Sequence, residues 1–250
     1  MPLPETFSAL EALQPFLVKV QRERRTEAVF RLTDAAAELS TAQLHGALDL
    51  LLPWVQRSAR HICRERSFIA VRCRLGYRDG LRLADAWLAA APHALTARER
   101  TALDAALGLA REAQSRYALP SDQLRFLISA LASRVRYATA LPGRAACAVL
   151  VSGVTALTEG QANCQGFSDA LYLLGTLSGI PMGYQCGWNP RGPHLWNLAQ
   201  LDGRWFAVDA TPSAADHEAA LPVLLTRQDC LLRGLTWPSW AQTAAIATHP

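Results

Sequence analysis

Three residues of this sequence combine the types and settings that nucleophilic chemistry needs: Cys164, His194 and Asp209. Cys164 follows Gln161-Ala-Asn and opens a run in which Phe167, Ala170, Leu171, Leu174 and Leu177 fall on one helical face. Asn163 reads as the N-cap, Gly179 suits the position just past the last turn, and Pro181 blocks continuation. Cys164 is thus expected in the first turn of a helix, where free N–H groups and the helix dipole favour a thiolate. A thiolate that attacks a carbonyl needs a partner to stabilise it and later to protonate the leaving group, which histidine does near neutral pH. The histidine in turn needs its second nitrogen fixed, and a carboxylate does this by accepting that N–H. The oxyanion formed on attack needs donors, for which the Cys164 backbone N–H and the Gln161 side chain are the candidates.

The spacing of the other two residues places them together. His194-Leu-Trp-Asn-Leu-Ala-Gln-Leu201 and Arg204-Trp-Phe-Ala-Val-Asp209 flank Asp202-Gly203, the short-range signature of a two-residue hairpin turn. Such a turn sets Leu201 opposite Arg204, Ala199 opposite Phe206 and Trp196 opposite Asp209. Alternation then puts His194, Trp196 and Leu198 on one face with Ala207 and Asp209. His194 and Asp209 become diagonal neighbours, with Cβ atoms roughly 7–8 Å apart. A strand over 182–188 precedes this hairpin. Trp188 and Trp196 read either as sheet packing or as walls of a substrate groove.

Upstream, Ser40 or Thr41 caps a helix through Leu44, Leu48, Leu51 and Leu52, with Pro53 forcing a kink or an early end. Residues 68–76 read as a strand, paired with 81–87 across the turn Tyr77-Arg-Asp-Gly80. Thr96-Ala-Arg-Glu99 is a capping box that opens a helix to about Tyr117, and Pro120 opens another to Tyr137. After about Leu221 no strong period remains, and the segment reads as a wrapping tail. The expected organisation is an accessory region of mixed helix and hairpin over 1–104, a catalytic core over 105–220, and the tail over 221–250.

The motifs Cys164-Gln-Gly-Phe, Gly179-Ile-Pro, Gly187, His194-x-Trp-Asn and Leu201-Asp-Gly-Arg-Trp-Phe-Ala-Val-Asp-Ala-Thr211 resemble the transglutaminase-like superfamily, especially its bacterial branch. The likeness covers roughly residues 105–215. It extends upstream through the helix ending at Tyr137 and the loop over 146–153. It implies a papain-like α+β fold, with the Cys helix packed on an antiparallel sheet, and gives Cys164 the role of nucleophile, His194 that of base and Asp209 that of orienter. Leu195, Phe206 and Pro212 depart from the usual residues of the pattern and would reshape the groove while leaving the triad whole. No tryptophan stands where crosslinking members place an upstream oxyanion donor.

Composition narrows the remaining options. The chain has 250 residues, half of them hydrophobic, and a net charge of +4. That is enough apolar material for a sizeable core. Its arginines are scattered rather than clustered with aromatics, and Lys19 is its single lysine, so nucleic acid is not an expected partner. No uninterrupted apolar run suits a membrane span, and no secretory signal is visible, so a cytoplasmic location is expected. The six cysteines form no C-x-x-C pair and no compact disulfide framework. His61, Cys63 and Cys73 lack a fourth ligand at useful spacing, so neither a metal nor a cofactor is expected. The sequence therefore reads as a thiol-dependent hydrolase cleaving an amide or isopeptide bond of a peptide or protein. The alternatives are acyl transfer from glutamine to an amine, or a non-catalytic binding protein on the same fold. Oligomeric state is not legible.

Overall fold

In the N-terminal part, burial alternates along two strands whose apolar residues recur at every second position. The computed structural model describes residues 4–138, 149–211, 224–244 and 246. Its elements run β1 (Glu5–Phe7), α1 (Leu10–Arg22), β2 (Glu27–Leu32), α2 (Asp34–Ala37), α3 (Thr41–Leu51), β3 (Val55–Arg64) and β4 (Ile69–Tyr77). The sheet order is β1-β2-β4-β3, with β1 parallel to β2 and the other pairs antiparallel. Phe30, Leu32, Ile69 and Val71 are buried, as are Leu13, Leu17 and Val20 of α1 and Leu44 and Leu48 of α3. The α3 start is a capping box between Ser40 and Gln43, and the helix ends at Leu51, ahead of Pro53.

The strand expected over 68–76 forms, but its expected partner does not. β4 pairs with β2 and β3, and residues 81–87 lie in helix α4 (Asp79–Leu88). Gly80, Leu81, Leu83 and Ala84 make its buried face, a helical spacing. Asp79-Gly80 is thus a helix start, with the acid at the favoured first position, rather than a hairpin turn.

The elements that follow are α5 (Ala97–Arg116), α6 (Pro120–Arg134), β5 (Arg136–Tyr137), α7 (Gly153–Glu159), β6 (Gln161–Ala162), α8 (Cys164–Leu177), β7 (Met182–Asn189), β8 (Gly192–Leu201), β9 (Arg204–Val208) and α9 (Arg227–Leu232). The Thr96–Glu99 capping box opens α5 as expected. α6 stops at Arg134, short of Tyr137, because Arg136 and Tyr137 pair in parallel with β6. Helices α4, α5, α6 and α7 all pack against α8, whose middle is buried on every side from Gly166 to Gly175.

By packing, the chain divides into one unit of Met1–Tyr77 with Trp237–Thr243 and another of Arg78–Thr236 with Ala244–Pro250. The division falls after Tyr77 rather than near residue 104, because α4 and α5 belong to the layer around α8. The C-terminal segment is not periodless either. Thr226 and Asp229 form a capping box for α9, and Leu225 exchanges both backbone hydrogen bonds with Ala207 at 2.8 and 2.9 Å. Among the described residues, no helix is long and apolar enough to cross a membrane.

β7, β8 and β9 form an antiparallel sheet in the order β7-β8-β9. The hairpin has the expected register, with Leu201 opposite Arg204 and Ala199 opposite Phe206. Asp202 and Gly203 take φ of +50° and +77°, the left-handed pair that a tight hairpin turn demands. Gly187 lies opposite His194, and a Cβ there would stand 2.2 Å from the Thr236 carbonyl oxygen and 2.7 Å from the Trp196 ring. A Cβ at Gly183, in the same strand, would meet nothing nearer than 3.6 Å. Gly187→Ala is therefore expected to cost roughly 1–3 kcal/mol by overpacking. Gly183→Ala should change stability by about 0.5 kcal/mol or less. Urea titrations of the two variants measure the difference, and equal midpoints would contradict the close approach.

Candidate active site

Asn163 caps α8, its side-chain oxygen accepting from the N–H groups of Gln165 (2.9 Å) and Gly166 (3.3 Å). Cys164 is the first helical residue, so its own N–H has no acceptor within the helix. β8 runs past this end. The Leu195 N–H donates to the Cys164 sulfur, and the His194 ring hydrogen-bonds the same thiol. On its other side the ring meets Asp209, with Nε2 and Oδ2 2.7 Å apart. With Nε2 committed to the carboxylate, Nδ1 is the nitrogen left for sulfur. The second Asp209 oxygen accepts from the Thr211 N–H at 2.9 Å. The three residues expected to act together are thus one hydrogen-bonded chain, from the start of a helix to the strand pair beside it.

The electrostatics follow from this contact. Burial by itself would raise the Cys164 pKa, but the hydrogen bond and charge of His194, with the Leu195 N–H, outweigh it and lower the thiol below its ordinary value. Burial likewise opposes the charged form of His194. The hydrogen bonds and negative charge supplied by Asp209 and Cys164 reverse that and carry its pKa up to about 10. The resting state these contacts favour is thiolate beside imidazolium. The His194 and Asp209 side chains are only 4% and 7% exposed, so solvent screens the pair weakly.

The proposed groove residues are placed differently. Trp196 is fully buried and stacks against the His194 ring with centroids 5.9 Å apart, which makes it a floor under the imidazole rather than a wall. Trp188 is 40% exposed but lies opposite Pro193, one residue out of phase with the Gly187–His194 pair, so alternation turns it to the other face of the sheet. Gln161 is half-buried in β6, its backbone register set by the pairing with Arg136. Among the described residues, no group of three or more His, Cys, Asp or Glu could hold a metal.

The structure adds residues that the pattern alone leaves without a role. Tyr137 stacks on Phe167 of α8 with centroids 6.3 Å apart, and burial, with the charges of Cys164 and Asp209, raises the pKa of its half-buried phenol. The Ser168 hydroxyl donates to the Leu195 carbonyl at 2.9 Å, and the Asn197 amide donates to the Ser168 carbonyl at 3.0 Å and to that of Gly183 at 3.2 Å. These bonds fasten α8 to β8 and so hold Cys164 against His194. The signal in the sequence is a polar residue inside an apolar stretch, at Ser168 on the helix and at Asn197 on the strand.

The chain is similar to several known proteins. Residues 107–210 match the family model of the transglutaminase-like superfamily. Among solved structures, one described as a TGase is 12% identical with a TM-score of 0.44, covering 87% of this chain and 61% of its own. A candidate cysteine protease from Cytophaga hutchinsonii is 14% identical with a TM-score of 0.37, covering 62% of each chain. The periplasmic domain of TgpA from Pseudomonas aeruginosa, bound to ethylmercury, is 18% identical with a TM-score of 0.34, covering 61% of this chain and 58% of its own. This chain therefore spans about three fifths of the length of those structures. No curated protein matches it.

The contrast among thiols is directly measurable. Burial pushes Cys73 and Cys230 up to about 11, in the opposite direction from Cys164. At pH 6, iodoacetamide is expected to label Cys164 first, ahead of exposed Cys63 and with Cys73 and Cys230 intact. His194→Ala should slow that labelling by ~10-fold or more, since losing the hydrogen bond and charge that lower the thiol returns it toward the ordinary cysteine range, where little thiolate exists at pH 6. Peptide mapping reads both effects, and preferential labelling of Cys63 at pH 6 would contradict the assignment.

Proposed function

We propose that this chain, which carries a transglutaminase-like core over residues 107–210, is a thiol-dependent enzyme that cleaves an amide or isopeptide bond of a peptide or protein through an acyl-enzyme on Cys164. The observation that carries the reading is the continuous Cys164–His194–Asp209 hydrogen-bonded chain at the start of α8. The Cys164 thiolate attacks the carbonyl carbon, and the C=O electron pair moves onto oxygen. The Cys164 N–H, unused within its helix, is one donor to that oxyanion, and the Gln161 side chain is assigned as the second. The imidazolium gives its Nδ1 proton to the departing nitrogen as the C–N bond breaks. The neutral imidazole then takes a proton from water, whose oxygen displaces sulfur and releases the acid. Asp209 keeps Nε2 protonated throughout, which aims Nδ1 at the reacting atoms.

Hydrolysis is preferred over transfer because water is the acceptor any open thioester meets, and no residue described here forms an amine subsite. The same acyl-enzyme can be intercepted by an amine, so one experiment separates the outcomes. After incubation with a peptide library, intact-mass spectrometry should find an adduct on Cys164 that is lost in Cys164→Ala. Hydrolytic products should dominate when a primary amine is present at millimolar concentration. Dominant amine-linked products would instead favour transamidation, and no adduct under any condition would favour a binding protein.

The orienter is tested by substitution. Asp209→Asn should keep the fold and lower turnover by about 10²–10³-fold, less than the serine-triad loss of about 10⁴, because the helix dipole and His194 already favour the thiolate. His194→Ala should cost at least as much. The double variant should be little worse than the poorer single one, because residues that act as a unit are not additive. Additive losses would mean that Asp209 serves structure alone.

A further inference from the structure

Asp169 stands five residues beyond Cys164 on α8 and is fully buried. Its carboxylate accepts at both oxygens. Oδ1 takes the Gly80 N–H at 2.9 Å and the Tyr184 hydroxyl at 2.9 Å, and Oδ2 takes the Gly153 N–H at 2.8 Å. Gly80 is in the first turn of α4 and Gly153 is the first residue of α7, so both N–H groups lack an acceptor in their own helices. One carboxylate therefore closes two helix starts at once.

Both glycines are needed for this approach. A Cβ at Gly80 would lie 2.2 Å from the Asp169 carbonyl oxygen, and one at Gly153 would lie 2.8 Å from the Ala170 nitrogen and 2.9 Å from Asp169 Oδ2. Among the described residues, the charged groups acting on the carboxylate are Arg78 and Asp79. Arg78 is 3% exposed, lies 5.5 Å from the Tyr184 ring centre, and donates at 3.1 Å to Gln165, the residue after Cys164. Asp79 is bound by the Ser152 hydroxyl at 2.5 Å and by Arg82 at 2.9 Å. Burial pushes the Asp169 pKa up to about 6, opposed by Arg78 and the two glycine N–H groups and reinforced by Asp79.

The bonds form a closed circuit. Asp169 holds Tyr184 of β7, Tyr184 lies opposite Asn197 of β8, and the Asn197 amide returns to the carbonyl of Ser168, the neighbour of Asp169. The circuit joins the helix that carries Cys164 to the strand that carries His194. A rotation or slide of α8 would break the Asp169 bonds on one side and the Ser168 bonds on the other.

We propose that Asp169 is the positioning residue of the site: its carboxylate pins α8 to α4, α7 and β7 and thereby sets where the Cys164 sulfur lies relative to His194. The proposal rests on Cys164 being the nucleophile. A carboxylate is required because every partner donates. An asparagine in either orientation turns an NH₂ group toward an N–H or a hydroxyl, and an alanine leaves buried donors unmet.

The test uses the full chain and needs no substrate. The rate of Cys164 alkylation by iodoacetamide is followed from pH 5 to pH 10 for the wild type, Asp169→Asn and Tyr184→Phe, with folding checked by circular dichroism. Asp169→Asn is expected to move the alkylation midpoint up by about one pH unit and to slow labelling up to about tenfold at pH values below the wild-type midpoint. Tyr184→Phe, which removes one of the three donors, should give a smaller shift in the same direction. A folded Asp169→Asn whose profile superimposes on the wild type would overturn the proposal, because a purely structural residue would lower the melting temperature without moving the thiol. If Asp169→Asn does not fold, Tyr184→Phe decides alone, and an unshifted profile overturns the proposal. A wild type whose Cys164 has no advantage over the other cysteines overturns the nucleophile reading itself, an outcome distinct from a defect confined to the variants.

Discussion

The hydrogen bond between His194 and Asp209 is the constraint on which the rest of the site depends. Without it the imidazole could turn, its proton could sit on either nitrogen, and the thiol would lose the cation that keeps it ionised. It spans two strands that meet because a two-residue turn joins them, and it lies in an interior where water competes little. That burial has opposite effects on the two ends of the chain of bonds. It penalises every charge, yet it also strengthens the attraction between the charges once they are paired. Cys164 and His194 are each pushed toward neutrality by desolvation and pulled back by the other, so neither keeps its ionised form alone.

This mutual dependence explains why so much of the second packing unit consists of ties between backbone segments. The thiol comes from a helix start, the imidazole from the middle sheet strand and the carboxylate from the end of the edge strand. Side-chain bonds through Ser168 and Asn197 join the first two, and the strand ladder joins the last two. Trp196 beneath the imidazole contributes stiffness from below, and Gly187 gives that indole the room it needs.

How much of this was legible in the sequence depended on the range of the interaction. The cap at Asn163, the helix it starts and the register set by Asp202-Gly203 are local, and local chemistry specifies them. The meeting of His194 with Asp209 followed by counting residues from the turn. The fate of 79–88 did not, because an Asp-Gly pair suits either a turn or a helix start, and what decides is the packing of Gly80 on Asp169, some ninety residues away. The boundary after Tyr77 was hidden for the same reason. Composition hardly changes there, and only the layer around α8 claims α4 and α5. Trp188 and Trp196 show the limit of residue type as a guide, since both are large aromatics near the motif and neither faces an open groove beside Cys164.

The turn at Asp202 and Gly203 has one more consequence, which concerns heredity rather than chemistry. Both residues are exposed and neither bonds to Cys164, His194 or Asp209, so exchanges between residues that tolerate a left-handed backbone can accumulate there freely. Its length cannot drift in the same way. One residue gained or lost would rotate Asp209 to the far face of the sheet and leave His194 without its acceptor. Lineages descended from this protein would thus tolerate varied letters at the hairpin tip while conserving the count between His194 and Asp209, and a change in that count would mark a copy in which the two side chains no longer meet.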